Sequence, residues 1–558
     1  MTVTPDTLNK ESLISLIEYS LQKNWEHSAL SDLNGVSYQY KDVARKIEKL
    51  HILFENTGLK PGDKVALCGK NSAQWAVAFL GTITFGAVVV PILHEFKPEN
   101  IHHLVTHSDS KLLFVDSSIW SQLDEAQLPG IEGALRLNDY SILLSRSKKL
   151  DETRHNLNLL FGEKFPERFT PEDVKYRQPA SDSDLALINY TSGSTGFSKG
   201  VMLSYRNLWS NIVFAREHID FLKPGDGMVC MLPLAHMYGL AIELLFPFTV
   251  GCHVNFLTRT PSPHVILDAF ATVKPKLIIT VPLVIEKIIK TKVFPLLQKP
   301  LMKLMLHVPF VDDKLLAKIK QKIEESFGGC LRQLVIGGAG LNADVEEFLR
   351  RIKFPFTVGY GMTECAPLIA YAQWDIQRPG SCGLIVDRME AHIDSPNPRE
   401  IPGVLWVKGD NVMKGYYKND EATESAFKDG WMNTGDICQM DSDGFLYIRG
   451  RDKNMILGPS GQNIYPEEIE VKVNNLPFVA ESLVVEDGGK LIALIYPDYE
   501  NIDKEGIARD TIQSLMEDAV KELNKELPAY SQIAGVKLMN EEFEKTPKRS
   551  IKRYLYQS

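Results

Sequence analysis

The sequence predicts an α/β protein, with a large N-terminal α/β domain of several subdomains and a small C-terminal α+β domain. The first indication is length: 558 residues are too many for one hydrophobic core, so at least two domains are expected. The second is an alternation of short Val/Ile/Leu-rich runs with amphipathic stretches over the first four-fifths of the chain. The third is a change of character after Gly450-Arg-Asp-Lys453.

The runs Lys64–Cys68, Lys111–Val115, Lys276–Thr280 and Gln333–Ile336 are continuous rather than alternating in polarity. That pattern belongs to strands buried on both faces and separated by helices. Trp75–Leu93 carries no charge and is long enough to span a bilayer. It is interrupted by Gly81, Gly86 and Pro91, which favours a helix, a turn and a buried strand over a transmembrane helix. Beyond Lys453, Leu491–Tyr496 reads as a strand followed by Pro497, and Asp510–Leu527 as a charged helix. Glu286–Leu306 is apolar but holds Lys287, Lys290, Lys292, Lys299 and Lys303. It reads either as a surface helix pair that snorkels its lysines or as a patch resting peripherally on an anionic membrane, at its inner face.

Composition narrows the function classes. Apolar residues make up 44% and charged residues 24%, as in ordinary globular proteins. A net charge of -9 argues against a nucleic-acid partner. The seven cysteines form no CxxC pair and read as reduced, mostly buried thiols of a cytoplasmic protein. Met1–Lys10 is polar and lacks the apolar core of a secretory signal.

Between two expected strands, Leu185–Tyr190 and Gly200–Ser204, lies Thr191-Ser-Gly-Ser-Thr-Gly-Phe-Ser-Lys-Gly200. Its glycines allow backbone N–H groups to approach phosphate oxygens, its hydroxyls add donors, and Lys199 adds a point charge. The GxxxxGK[ST] spacing is absent. On composition alone a phosphate cradle and a flexible Ser/Gly hairpin are equally good readings.

The segment Tyr190–Gly200 resembles the AMP-binding motif of the adenylate-forming superfamily, and further motifs follow in the order of that family. Leu232-Pro-Leu-Ala-His-Met-Tyr-Gly239 resembles the motif whose aromatic or His residue, here His236, borders the acyl pocket. Val335-Ile-Gly-Gly-Ala-Gly340 is similar to the turn along adenine and acyl group, which implicates Gly338 and Ala339. Gly359-Tyr-Gly-Met-Thr-Glu364 is similar to the segment in which Tyr360 and Gly361 lie at adenine, Thr363 contacts the α-phosphate and Glu364 holds Mg²⁺. Asp436 in Trp431–Asp436 matches the acceptor of both ribose hydroxyls, and Arg451 the side chain that reaches ribose or phosphate. The phosphate contacts implied are Thr191, Ser192, Gly193, Ser194, Thr195, Gly196 and Lys199. The residue types suit that chemistry, since in-line attack on an α-phosphorus needs positioning and charge neutralisation more than proton transfer.

The resemblance spans Leu30 to Leu555 and implies residues 1–450 as the large domain, 451–453 as a hinge at Lys453, and 454–558 as a small mobile domain. The loop from Gly461 to Glu470 resembles the one that enters the active site after rotation. One departure stands out. The family's C-terminal catalytic lysine matches Ser550 in Lys545-Thr-Pro-Lys-Arg-Ser-Ile-Lys-Arg553, which leaves Lys552 and then Lys548 as candidates for its role. Leu234–Glu243 offers no Asp to pair with a substrate ammonium, and Val281–Ile289 resembles long-chain fatty acyl-CoA synthetases. The resemblance thus implies ATP, Mg²⁺, a fatty acid and coenzyme A. A carrier protein as acceptor, or a catalytically silent nucleotide- or lipid-binding chain, are the competing readings.

Overall fold

The computed structural model describes residues 12–191, 198–297, 311–457, 462–546 and 551–557. Its largest sheet, eight-stranded among the described residues, has a parallel centre of Val88–Ile92, Lys64–Cys68, Ser110–Val115 and Gly133–Arg136. Leu185–Thr191 joins it in parallel with Val88–Ile92, and Lys199–Ser204 and Gly415–Tyr416 continue antiparallel to one edge. A separate parallel sheet aligns Leu277–Thr280, Gln333–Ile336 and Phe356–Val358. These strands fall where the apolar runs put them, because both faces are covered and polarity cannot alternate.

Trp75–Leu93 folds as the helix-turn-strand reading requires. Ser72 Oγ accepts the Trp75 N–H (3.1 Å) and starts the helix Ala73–Phe85, which Gly86 ends in the left-handed conformation at φ 90. The strand Val88–Ile92 follows, buried throughout. An L side chain at Gly86 would be strained, so glycine fixes the point at which helix becomes strand. No helix among the described residues is long and apolar enough to cross a membrane.

The basic-apolar segment begins as the helix Pro282–Ile288 and widens into a π turn at Ile289–Val293 before the short helix Phe294–Leu297. Ile285, Ile288 and Ile289 pack into the core around the second parallel sheet. Glu286 Oε1 accepts the Asn342 N–H (2.8 Å), tying this segment to the start of the helix Ala343–Arg351. Lys299 and Lys303 lie outside the described residues. Six of the seven cysteines are buried free thiols, and Cys330 is exposed.

An antiparallel sheet closes the large N-terminal part. Trp431–Met440 pairs with Gly403–Gly409 on one side and with Leu446–Arg451 on the other. A one-turn 3-10 helix, Asp452–Asn454, comes next. The remaining chain builds its own core on the sheet Val479–Asp487, Lys490–Pro497 and Ile533–Leu538, covered by the helices Pro466–Val473 and Ile512–Leu523. The expected strand and helix of this α+β unit are therefore present, the helix two residues shorter at its start and four at its end.

Arg553 secures the C-terminus of that unit. Its guanidinium donates to both oxygens of Glu470 (2.7 Å each) and to the Val484 carbonyl (2.9 Å), while Glu470 Oε1 accepts the Val484 N–H (2.6 Å). Burial raises the Glu470 carboxyl, and Arg553 pulls it back. Removing one member of a buried pair leaves an uncompensated charge. Arg553→Ala is therefore expected to cost about 3–5 kcal/mol of small-domain stability. Amide hydrogen exchange in Val479–Asp487 and Lys490–Pro497 should accelerate accordingly while the eight-stranded sheet is unchanged; equal protection in wild type and variant would refute it.

Candidate active site

Asp436 is the most constrained side chain of the site. It is 3% exposed, its Oδ2 accepts the Tyr360 hydroxyl, and its Oδ1 meets Arg451 Nε at 2.8 Å. Backbone register sets this up, since Asp436 and Arg451 face each other across adjacent strands. Burial raises the Asp436 carboxyl above the usual range, and Arg451 and Tyr360 counteract it. Burial also pushes the Tyr360 phenol well up, with Asp436 adding to the shift, so Tyr360 remains a donor.

Tyr360 reaches this position because its strand cannot shift. The Gly359 N–H donates to the Ile336 carbonyl (2.9 Å), which hangs the segment from the second parallel sheet. A Cβ on Gly361 would stand 2.1 Å from the Pro367 carbonyl oxygen, so only glycine permits the approach. The Met362 N–H donates to that same carbonyl (2.8 Å). Thr363 and Glu364 then lie in the one-turn 3-10 helix Thr363–Cys365.

Glu364 Oε1 accepts the Tyr416 hydroxyl at 3.1 Å, and Lys199 Nζ sits 4.8 Å from the centre of the Tyr416 ring. Tyr416 thus bridges the carboxylate and the lysine of the phosphate-loop motif. Burial raises its phenol, with Glu364 as the next cause. The geometry follows from pairing: Tyr416 lies opposite Val201, and the Tyr417 N–H donates to the Gly200 carbonyl (2.7 Å). Thr191 faces Lys199 across the hairpin, so the loop leaves and re-enters the sheet at a fixed width. Ser192, Gly193, Ser194, Thr195 and Gly196 lie outside the described residues, as do Gly461, Lys548 and Ser550.

The remaining motifs join the same surface. Asn189 Nδ2 donates to the Ala235 carbonyl (2.9 Å), which fixes His236 beside the strand that feeds the phosphate loop. Two residues on, the Tyr238 ring lies 3.1 Å from the position a Cβ would take on Gly337. Gly338, at φ +88, and Ala339 are exposed past that contact, in the turn that follows Gln333–Ile336. Lys552 belongs to the C-terminal part of the chain, with its Nζ 2.8 Å from Glu544.

The structure therefore brings Tyr360, Asp436 and Arg451 into direct contact, links Glu364 to Lys199 through Tyr416, and places Glu364 within electrostatic reach of Asp436 and Arg451. Residues 17–417 match the family model described as AMP-binding enzyme, and residues 453–557 match AMP-binding enzyme C-terminal domain.

The chain belongs to the AMP-binding enzyme family.

Among its relatives is a long-chain-fatty-acid–CoA ligase of Yersinia pestis, 28% identical, covering 87% of this chain and 84% of that protein. Long-chain-fatty-acid–CoA ligase 1 of Saccharomyces cerevisiae is 28% identical over 87% of this chain and 75% of its own length. The fold is shared with ATP-bound MatB from Rhodopseudomonas palustris, at a TM-score of 0.76 and 23% identity over 98% of both chains. It is shared too with AMP-bound o-succinylbenzoate–CoA synthetase (MenE) from Bacillus subtilis, at a TM-score of 0.72 and 21% identity over 97% of both.

Sequence reasoning passed over Tyr416 and Asn189. A tyrosine beside Gly415, or an Asn inside an apolar strand, has no signal of its own; only strand pairing discloses what it touches. Tyr360→Phe deletes a hydrogen bond to a buried carboxylate, a contact worth about 1.5–3 kcal/mol. Urea unfolding followed by the tryptophans, all of which precede residue 432, should show a loss of that size; an unchanged midpoint would mean that Asp436 does not depend on the phenol.

Proposed function

We propose that the chain activates a long-chain fatty acid with ATP and transfers it to coenzyme A. The carboxylate oxygen attacks the α-phosphorus, the bond to the β-phosphate bridging oxygen breaks, and pyrophosphate leaves. The CoA thiolate then attacks the acyl carbon and AMP leaves. The observation that carries this reading is the pairing of two constellations on one face, Tyr360–Asp436–Arg451 and Lys199–Tyr416–Glu364.

In this reading Asp436, once its phenol and guanidinium partners yield, accepts the ribose hydroxyls, and Tyr360 lies against adenine. Lys199 and the loop after Thr191 meet the phosphates, and Thr363 contacts the α-phosphate. Glu364 fits a Mg²⁺ site: one of its oxygens takes the Tyr416 hydroxyl and the other is left for a hard cation that keeps most of its ligands from phosphate and water. Such an ion would neutralise charge on the phosphates. Among the described residues no group of three or more His, Cys, Asp or Glu side chains could hold a metal ion by itself.

The fatty-acid assignment draws on the ligases that the chain resembles and on the chemistry near His236. The carboxylate that follows His236, Glu243, is wholly buried and already engaged with backbone N–H groups, so it presents no charge to a substrate ammonium. His236, Gly338 and Ala339 would border the acyl group. For domain motion, the 3-10 turn Asp452–Asn454 supports a hinge at 451–453 between a large domain 1–450 and a small one 454–558. Rotation there would exchange the Lys548–Lys552 segment for the Gly461 loop at the acyl group, ahead of thiol attack. The Ser550 departure and the Lys552–Glu544 pair favour one second reading, a chain that binds nucleotide without forming adenylate.

ATP–pyrophosphate exchange with Mg²⁺ and acids of increasing chain length separates the two. Exchange that grows toward palmitate, with acyl-CoA appearing only when CoA is added, is the expected result. No exchange above background with palmitate, or exchange only with aromatic acids, would overturn the proposal. Lys552→Ala is expected to lower the exchange rate on the order of a hundredfold, the cost of losing one charge contact in a transition state. Full exchange in both Lys552→Ala and Lys548→Ala would remove both lysines from that role. Asp436→Asn should weaken AMP binding about tenfold to a hundredfold in calorimetry, from lost hydrogen bonds to a charged acceptor.

A further inference from the structure

The large domain buries one carboxylate that the functional reading leaves unused. Glu243 is 0% exposed and lies in Gly239–Leu245, where the helix after His236 widens into a π turn. Its Oε2 accepts the N–H groups of Met231 (3.1 Å) and Leu232 (2.8 Å). Its Oε1 is also buried, and the Cys230 thiol is the side chain that hydrogen-bonds to this carboxyl. The titratable groups that face it are the Cys230 thiol and the Tyr238 phenol, both raised by burial and then by Glu243. Burial likewise pushes the Glu243 carboxyl well above its ordinary range, with the Leu232 amide, the Cys230 thiol and the Met231 amide pulling the other way.

Asn71 completes the grip on the same segment from the opposite side. Its Nδ2 donates to the Leu232 carbonyl (2.6 Å) and its Oδ1 accepts the Leu234 N–H (2.9 Å). Two side chains remote in sequence therefore satisfy the backbone of Met231, Leu232 and Leu234, a stretch that belongs to no strand or helix. A Cβ on Gly239 would come within 2.8 Å of the Pro233 carbonyl oxygen, so the helix start is pressed against the loop. The held segment leads directly to Ala235, His236 and Tyr238. A π turn changes the direction of the side chains that follow it, and here it is what turns Glu243 back toward Met231.

We propose that Glu243 is a positioning residue for the acyl-binding side of the site, holding Met231–Leu234 with Asn71 so that His236 and Tyr238 stand against the Gly337–Gly340 turn. This rests on the adenylate-forming reading above. Glu243 itself touches no substrate. Its part is to supply an acceptor for two buried amides that water cannot reach.

Glu243→Leu keeps the volume and removes the acceptor. Amide hydrogen exchange over residues 231–234 is expected to accelerate about tenfold or more, the size set by unpairing buried donors. The palmitate-dependent kcat/KM of ATP–pyrophosphate exchange should fall by a similar factor, with AMP affinity altered less than about twofold because the nucleotide side is untouched. Glu243→Gln presents the same acceptor and is expected to restore both readouts. Unchanged protection at 231–234 in Glu243→Leu would overturn the proposal, as would a Gln variant that behaves like the Leu variant. Faster amide exchange throughout the large domain with loss of AMP binding would also overturn it, by showing general destabilisation instead. If Glu243→Leu does not fold, protection at 231–234 in Glu243→Gln decides alone, wild-type protection supporting and lost protection refuting. If the wild type shows no acid-dependent exchange, the functional reading falls by itself, and the amide data on the variants still decide what Glu243 holds.

Discussion

The site depends on one buried carboxylate that would be costly to bury alone. An unpaired charge away from water is penalised far more than a neutral polar group, so Asp436 demands partners whose positions are fixed. Arg451 comes from the neighbouring strand in direct register, which makes that partner a consequence of sheet pairing. Tyr360 comes from the other side, suspended from the parallel sheet through Gly359 and pressed against Pro367 through Gly361. Asp436 thereby bridges two sheets that share no strand. The hydrogen bonds that hold Asp436 without a ligand are the ones a polyhydroxyl ligand would replace, so the site is polarised before anything binds.

The phosphate side is built by the same economy of means. Tyr416 is delivered by a two-residue strand that pairs, among the described residues, with the strand that ends the phosphate loop. It therefore moves with Lys199 and Gly200, and its hydroxyl brings the Glu364 helix turn to that edge. Asn189 does the equivalent on the next strand by holding the Ala235 carbonyl. Lys199, Tyr416, Glu364 and the Ala235 carbonyl are referred back to the eight-stranded sheet within one or two hydrogen bonds, the kind of positional accuracy that reaction at a phosphorus requires.

Much of this frame was legible in the sequence because it follows from burial. Lys64–Cys68 and Gln333–Ile336 are strands with the bounds their apolar runs suggested, and Gly86 marks the helix-to-strand switch. What stayed hidden is of two kinds. Wide helical turns at Gly239–Leu245 and Ile289–Val293 carry no compositional mark, since they arise from tertiary packing. Polar residues inside apolar segments, such as Glu243 and Asn189, look like interruptions until the chain that they grip is brought alongside, and Asn71 looks like an ordinary turn residue. Roles for Asp436, Tyr360 and Glu364 came from resemblance to a family; composition alone left even the phosphate loop undecided between a cradle and a hairpin.

The C-terminal departure can be weighed on electrostatic grounds. Lys552 is held by Glu544, a fully exposed carboxylate, and exposed pairs of this kind are weak and screened by salt. Glu544 also feels Lys97 of the large domain, so two lysines from different parts of the chain compete for one carboxylate. Such an arrangement opposes the release of neither. A bound triphosphate carries several negative charges within a cleft where water is depleted, and there the same lysine gains more than it does at the surface. Lys552 can exchange Glu544 for a nucleotide at small cost, whereas Arg553, one residue on, is fixed by a buried bidentate pair and cannot follow. The adjacency of a loosely held cation and a tightly held one gives the tail a fixed pivot at Arg553 and a weakly paired charge beside it, which is the minimum that a displaced catalytic lysine would need.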